Sequence, residues 1–286
     1  MSFSINDDNL LVNSDSSVID LTEQTKVKNN KTYEQSGGKL DTLIIHFTAG
    51  RDAESSAKFL AGKDVQASAH LVIGRDGTVY QLVPFDIVAW HAGRSQYGGR
   101  TGFNKYSIGI ELDNAGALMK TGNQYQAWFG TKYPESDVIR ATHKNESVPR
   151  YWHTYTEKQL EVLTEISKLI VEKYPIKDVL GHDDISPGRK TDPGPAFDLI
   201  RFKRSILGQN READDDSVST ATTPSEGTVI ASKLNIRSGA NSSFEKIAKP
   251  LMRNQKVKIL SEENGWYQVE TTIKGWVSKG FIDTEQ

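Results

Sequence analysis

The sequence predicts an α/β domain followed by a small all-β barrel, and three observations carry that prediction. The stretch "LDTLIIHFTAG" (Leu40–Gly50) holds Leu43, Ile44 and Ile45 in an unbroken apolar run, the pattern of a strand covered on both faces. In "TEKQLEVLTEISKLIVEKY" (Thr156–Tyr174), Val162, Ile166 and Ile170 recur every four residues, and Leu163 and Leu169 widen the stripe to that of an amphipathic helix. Beyond residue 227, short alternating runs at Val257–Leu260, Trp266–Val269 and Gly275–Val277 are separated by Asn, Gly, Ser and Glu. Short strands at close, regular spacing predict a barrel of about sixty residues.

The remaining elements follow in order. Residues 1–39 are polar and end in "SGGK". They predict a loosely packed arm with at most a short strand near Asn9–Asn13. "DAESSAKFLAG" (Asp52–Gly62) predicts a short helix stopped at Gly62. "AHLVIGRDGTVYQLV" (Ala69–Val83) predicts a hairpin, because two strand-like runs flank the turn-forming "RDG". "YSIGIELDN" (Tyr106–Asn114) predicts a strand with Ile108, Ile110 and Leu112 on one face and Ser107, Gly109 and Glu111 on the other. Residues 115–150 are polar and aromatic without clear periodicity and read as a long insertion. Thr156 and Gln159 have the spacing of a capping box at the start of the long helix. A further helix is expected around Ala196–Leu207. "QNREADDDSVSTATTPSEG" then reads as a solvated linker. The expected organisation is an arm at 1–39, a first domain at 40–208, a linker at 209–227 and a barrel at 228–286.

Composition narrows the function. Hydrophobic residues at 36% and charged residues at 25% fit a soluble globular protein with a real core. A net charge of −2 gives no support for a dedicated nucleic-acid binder. The barrel region from Gly227 onward carries nine Lys/Arg and six Asp/Glu, a net +3, so the rest of the chain is −5. The chain has no cysteine, so any metal site must use His, Asp or Glu. The first residues, "MSFSINDDNLLVNSD", lack the basic start and apolar run of a secretory leader. No stretch approaches the length of a membrane span. The expectation is a monomer made in the cytoplasm, without membrane insertion, whose place of work could still lie elsewhere after lysis or signal-independent export.

The chemistry concentrates in "VLGHDDISPGRKTDPGPAFD" (Val179–Asp198), which Pro187 and Pro193 keep from being one helix. His46 ends the buried apolar strand, where a polar side chain is costly unless paired. Taken alone it reads as a hydrogen-bonded core histidine. Together with His182 and Asp192 it supplies two imidazoles and one carboxylate, the donors of a three-ligand zinc site with a fourth position for water. Such an ion lowers the pKa of bound water to about 7. Amide hydrolysis then needs a base that also returns a proton to the leaving nitrogen, and a cation facing the oxyanion. Glu111, alternating away from the apolar face of its strand, is the candidate base. Lys190, two residues before Asp192, is the candidate cation. A solvated surface pair is the bland alternative for these two.

Four stretches, "IIHFTAG", "SAHLVIGRDGTVYQLVPFDIVAWHAG", "NKYSIGIELDN" and "GHDDISPGRKTDPGPAFD", resemble the zinc-dependent N-acetylmuramoyl-L-alanine amidases of the amidase-2 family, related in fold to peptidoglycan recognition proteins. The resemblance covers residues 40 to about 200 and is nearest the branch that recycles anhydro-muropeptides. It implies a mixed central sheet flanked by helices. It also implies zinc on His46, His182 and Asp192, catalysis by Glu111 and Lys190, and cleavage between the lactyl group of N-acetylmuramic acid and L-alanine. Two departures matter. Where some members place a catalytic Tyr this chain has Ala69, so the work falls to Glu111. Where many recognition proteins place a Cys ligand it has Asp192.

His70 is expected to lie behind the site or against substrate, or else simply to pack. Trp90, His91, Arg100 and Asn104 lie in "AWHAGRSQYGGRTGFN", whose glycines are not followed by the Gly-Lys-Ser/Thr of a phosphate loop. This loop is expected to contact the sugar and peptide of a peptidoglycan or muropeptide substrate, Trp by stacking and Arg by binding carboxylates. A merely structural loop is the alternative. "LNIRSGANSSFEKIAKPLMRNQKVKILSEENGWYQVE" and "GWVSKGFI" resemble bacterial Src-homology-3 domains of wall hydrolases, which implies wall binding through Trp266 and Tyr267. Trp276 reads as core. Two other classes stay open from sequence: a recognition protein without catalysis, and a zinc peptidase cutting within the stem peptide.

Overall fold

The computed structural model describes residues 3–13, 18–26, 36, 39–208, 225–229, 233–240, 244–263 and 266–272. They fall into two compact units divided between Asp214 and Asp215. In the first, the chain forms β1 (Phe3–Ile5), β2 (Leu11–Asn13), β3 (Val18–Asp20), α1 (Thr22–Lys26), β4 (Thr42–Phe47), α2 (Ala53–Ala61), β5 (Leu71–Ile73) and β6 (Val79–Gln81). It continues through β7 (Gln96–Tyr97), β8 (Arg100–Thr101), β9 (Ser107–Leu112), β10 (Ala117–Thr121), β11 (Gln124–Gln126), β12 (Lys132–Tyr133), β13 (Val138–Thr142) and β14 (Pro149–His153). The last elements are α3 (Glu157–Lys173), β15 (Asp178–Gly181), α4 (His182–Ile185) and α5 (Leu199–Leu207).

A six-stranded mixed sheet, ordered β15-β4-β9-β5-β6-β3, is the frame. β15, β4, β9 and β5 run parallel, β6 returns antiparallel to β5, and β3 lies parallel to β6. The predicted apolar run sorts onto two faces. Leu43 and Ile45 join Ile108, Ile110 and Leu112 against Val162, Leu163, Ile166 and Ile170 of α3, with Phe202 and Ile206 of α5. Ile44 packs on the other face with Phe103, Leu180 and Ile185. Burial of side chains of this size contributes roughly 1.5–3 kcal/mol each, so this core sets the strand register.

The helix signals hold in detail. Thr156 accepts a hydrogen bond from the Gln159 backbone as the N-cap of α3. The Gln159 side chain does not close a capping box. Its Nε2 donates to the carbonyls of Ile73 and Asp113, tying α3 to the ends of β5 and β9. Asp52 caps α2 through the Ser55 N–H. The "RDG" turn closes as predicted, with Gly77 at φ +91°, a backbone angle that glycine adopts without a Cβ clash.

One expectation is corrected and another is given its structure. The region 1–39 is not a loose arm where it is described. Phe3 and Leu11 are buried in the main core, and β3 forms the sheet edge. Polar composition hid this, because a few well-spaced apolar residues suffice to anchor short strands. The 115–150 insertion has strands of its own. Together with β14 it forms a five-stranded antiparallel sheet, β12-β11-β10-β14-β13, around Leu118 and Tyr125. Its strands are two to five residues long, too short for a periodicity to show in sequence.

The second unit contains β16 (Glu226–Thr228), β17 (Lys233–Leu234), β18 (Leu251–Met252), β19 (Lys256–Glu263) and β20 (Trp266–Glu270). β19 pairs antiparallel with both β16 and β20. Within β20, Trp266 is half-buried and Tyr267 is exposed. Trp276 and most of the expected linker lie outside the described residues. No helix among the described residues is long and apolar enough to cross a membrane.

Candidate metal centre and its surroundings

Parallel pairing brings the site together. β15 is in register with β4 so that Gly181 pairs with Ile45, which sets the next residue, His182, level with His46. On the other side of β4, His46 pairs directly with Glu111 of β9. Three neighbouring strands thus deliver His182, His46 and Glu111 at their carboxyl ends, where sheets of this kind bind ligands. The chain after α4 then returns Asp192 to the same place, and the Asp183 N–H donates to the Asp192 carbonyl to close that return.

His46 Nδ1, His182 Nδ1 and Asp192 Oδ2 stand 2.9 Å from one another on all three sides. All three residues are buried. Their outer contacts fix what those atoms carry. Ser107 Oγ donates to the Phe103 carbonyl at 2.6 Å, so it accepts from the His91 Nε2–H at 3.2 Å. His91 Nδ1 is then left to accept from the His46 Nε2–H at 2.9 Å. His182 donates its Nε2–H to the Ala92 carbonyl at 3.2 Å. Both imidazoles therefore turn a bare Nδ1 lone pair toward the Asp192 carboxylate. Three acceptors converging in a buried space repel one another unless a cation joins them. The donor set fits a single divalent ion with a vacant position.

The electrostatics agree. Burial, then the neighbouring His182, push the His46 imidazole down to about 4, so it is neutral and able to ligate at ordinary pH. Burial works to raise the Asp192 carboxyl, but its contacts with His182 and His46 outweigh burial and hold it well below the usual carboxylate range. Glu111 is pushed up to about 8, first by burial and then by the charge of Asp192, against the pull of the Lys190 ammonium. Its Oε2 is sealed from solvent and has no hydrogen-bond partner among the described residues. A buried carboxyl oxygen without a partner, beside a metal group, is placed for a water or substrate atom. Lys190 is half-buried, and its charge also acts on His46.

Of the residues expected to contact substrate, His70, His91, Arg100 and Asn104 have partners within the fold. His70 is fully buried, accepts from the Gly109 N–H and donates to the Ile87 carbonyl, each at 2.9 Å. It holds β9 to the chain after β6 and packs rather than binds. His91 lies behind His46. Arg100 forms two hydrogen bonds to Asp41, at 2.7 and 3.0 Å, and lies over Phe103 and Tyr106, so its guanidinium is occupied. Asn104 accepts from the Ala92 N–H and so steadies the carbonyl that fixes His182. Trp90 is half-buried, with its backbone N–H on Ser68 Oγ.

Other supporting residues were not singled out from sequence. Arg189 donates to the carbonyls of Ala92 and Arg94 and to Ser186 Oγ. The His143 Nε2–H donates to Asp183 Oδ2 at 2.8 Å, and Lys144 pairs with Asp183 and Asp184. The Tyr155 hydroxyl donates to the Pro193 carbonyl at 2.8 Å. The insertion therefore grips the loop that carries two of the three donors. Only Gly109, interrupting an alternating strand, marked any of this in sequence. A Cβ there would meet the His91 ring at 2.3 Å.

A buried His–His–Asp group at the carboxyl ends of a parallel sheet, with a raised carboxyl alongside, is the arrangement of a metal-dependent hydrolase. The N-acetylmuramoyl-L-alanine amidase family matches residues 36–195, more than half of the chain, and the chain belongs to that family. Residues 232–283 match the bacterial SH3 domain. The 1,6-anhydro-N-acetylmuramyl-L-alanine amidase AmpD of Escherichia coli (strain K12) is 36% identical over 172 residues, 59% of this chain and 73% of that protein. The N-acetylmuramoyl-L-alanine amidase AmiD of the same organism is 34% identical over 177 residues, 59% of this chain and 54% of that protein. A solved complex of AmiD with anhydro-N-acetylmuramic acid-L-Ala-D-gamma-Glu-L-Lys is 31% identical, covers 62% of this chain and 59% of that one, and gives a TM-score of 0.44.

Proposed function

We propose that this amidase hydrolyses the amide between the lactyl group of N-acetylmuramic acid and L-alanine in peptidoglycan or its muropeptides, with zinc as the metal. The observation that carries the reading is the triangle of His46, His182 and Asp192 donor atoms with Glu111 in register beside it. Two imidazoles and a carboxylate, with no thiol in the chain, suit zinc with an open position. Zinc supplies Lewis acidity that makes water nucleophilic near neutral pH and polarises a carbonyl.

The residues of the chain do the rest. Glu111, raised by burial, takes the proton of the attacking water as its oxygen adds to the lactyl carbonyl carbon. Lys190 faces the oxyanion that develops on the carbonyl oxygen. Glu111 then passes its proton to the alanine nitrogen, the C–N bond breaks, and a lactyl carboxylate and a free stem-peptide amine result. A carboxyl whose pKa is raised above the ordinary range by burial is suited to accept a proton and to return it. The SH3-type unit, with Tyr267 exposed, holds the enzyme to the wall as a monomer.

Mass spectrometry of products from purified muropeptide tests the reading. Free stem peptide with an L-alanine amino terminus is expected from the native chain, and none from Glu111→Gln. Products cut within the stem would replace the amidase assignment with a peptidase. Equal, negligible release by both chains would leave a binding protein.

A further inference from the structure

Trp128 lies in the turn between β11 and β12, in the ordered insertion, and is 73% exposed. An exposed indole is ordinarily free to rotate, but this one is fixed. Its Nε1–H donates to the Ala49 carbonyl at 2.9 Å, and Phe129 packs edge-on against it with ring centroids 5.5 Å apart. The turn is itself closed by the Ala127 N–H on Thr131 and the Gly130 N–H on Ala127. Ala49 holds a left-handed φ of 47°, unusual for a residue with a Cβ. It sits three residues beyond His46, so its Cα lies within about 11 Å of the ligand's. The polar tip of the indole is thus used internally, and what remains exposed is a held apolar face anchored to the loop that leaves the His46 strand.

We propose that Trp128 is a saccharide-stacking residue that gives this enzyme a glycan subsite beside its metal centre. The inference rests on the amidase reading for the identity of the neighbouring ligand. The muramoyl unit whose amide is cut belongs to a sugar chain, so the group adjoining the reacting unit is a pyranose with an apolar face of C–H bonds. A fixed aromatic face complements that surface at little entropic cost, since the ring is already held. The bond to Ala49 couples the platform to the loop that leaves the His46 strand. The consequence is a preference for sugar chains over single muropeptides.

The test uses the full chain and its variants Trp128→Ala and Trp128→Phe, with Met119→Ala as an exposed control from the same sheet. Titration with an N-acetylglucosamine tetramer, which contains no amide to the stem, reads glycan binding without catalysis. Kinetics on sacculi read KM against kcat. Trp128→Ala is expected to weaken tetramer binding and raise KM on sacculi about tenfold, with kcat within twofold. Trp128→Phe should keep most of the binding, and Met119→Ala all of it. Unchanged tetramer affinity in Trp128→Ala would overturn the proposal, as would a loss confined to kcat. If Trp128→Ala unfolds, Trp128→Phe against the native chain decides by the same two readings. Should the native chain hydrolyse nothing, the amidase reading fails, while the tetramer titration still judges Trp128.

Discussion

The Nε2–H of His46 donates to Nδ1 of His91 across 2.9 Å, and the His91 ring occupies the space that any side chain at residue 109 would need. The metal-facing lone pair of His46 is therefore set by a relay that begins at the Ser107 hydroxyl. His91→Ala is expected to weaken zinc binding by about 10- to 100-fold. Competition against a chromogenic chelator measures this directly. Gly109→Ala should weaken zinc similarly by displacing the ring, and cost on the order of 1–3 kcal/mol of stability through overpacking. Native zinc affinity in both variants would remove the relay from the account.

Loss of the proton carrier and loss of the cation should separate in kinetics. Glu111→Gln is expected to lower kcat by about 10²–10⁴ while zinc content stays stoichiometric. Lys190→Ala is expected to lower kcat by about 10²–10³. Stem-peptide release under substrate saturation, with metal analysis of the same samples, checks both. A Lys190→Ala variant with native kcat would return Lys190 to the surface.

Two buried histidines away from the donor triangle make stability fall in acid. Burial holds His70 at about 4 and His153 at about 3, so both stay neutral when folded and take up protons when unfolded. The unfolded chain then binds more protons at every pH between about 6.5 and 4, and stability declines as pH falls through that window. Each histidine contributes about 1.4 kcal/mol per pH unit there. In the metal-free protein Glu111 acts in the opposite sense, because its folded carboxyl stays protonated up to about 8. The His70 share is read as a difference. Urea unfolding of metal-free native chain and His70→Gln should show a slope of stability against pH about 1.4 kcal/mol per unit shallower in the variant. Parallel slopes would mean that His70 is charged in the fold.

The insertion should matter to the metal loop. His143 and Asp183 are both buried, and removing the donor strands a carboxylate oxygen. His143→Ala is expected to cost about 1–3 kcal/mol in urea unfolding, and to weaken zinc binding with it. A stability loss with unaltered zinc affinity would show that the loop keeps its shape unaided.

Much was legible from sequence because it depends on local chemistry. The continuous apolar run at Leu43–Ile45, the four-residue repeat of α3 and the "RDG" turn each act within a few residues, so pattern alone predicts them. His46, His182, Asp192, Glu111 and Lys190 could be picked out together because that chemistry requires those residue types. The roles of Arg100, His91, Asn104 and His70 could not be read the same way. A histidine or arginine in a glycine-rich loop looks alike whether it meets substrate or a partner within the fold.

By itself, then, the sequence determined the central strands at Leu43–Ile45 and Ser107–Leu112, the hairpin, the long helix, the two-unit organisation and the set of chemically capable side chains, since these follow from periodicity and from what each group can do. Only the tertiary structure decided that parallel register sets His182, His46 and Glu111 level, that the His91 relay bares one lone pair, and that residues 115–150 build a sheet bracing the metal loop and presenting Trp128. Those outcomes depend on contacts between residues far apart in the chain, whose energies exist only once the core has fixed the strands beside one another.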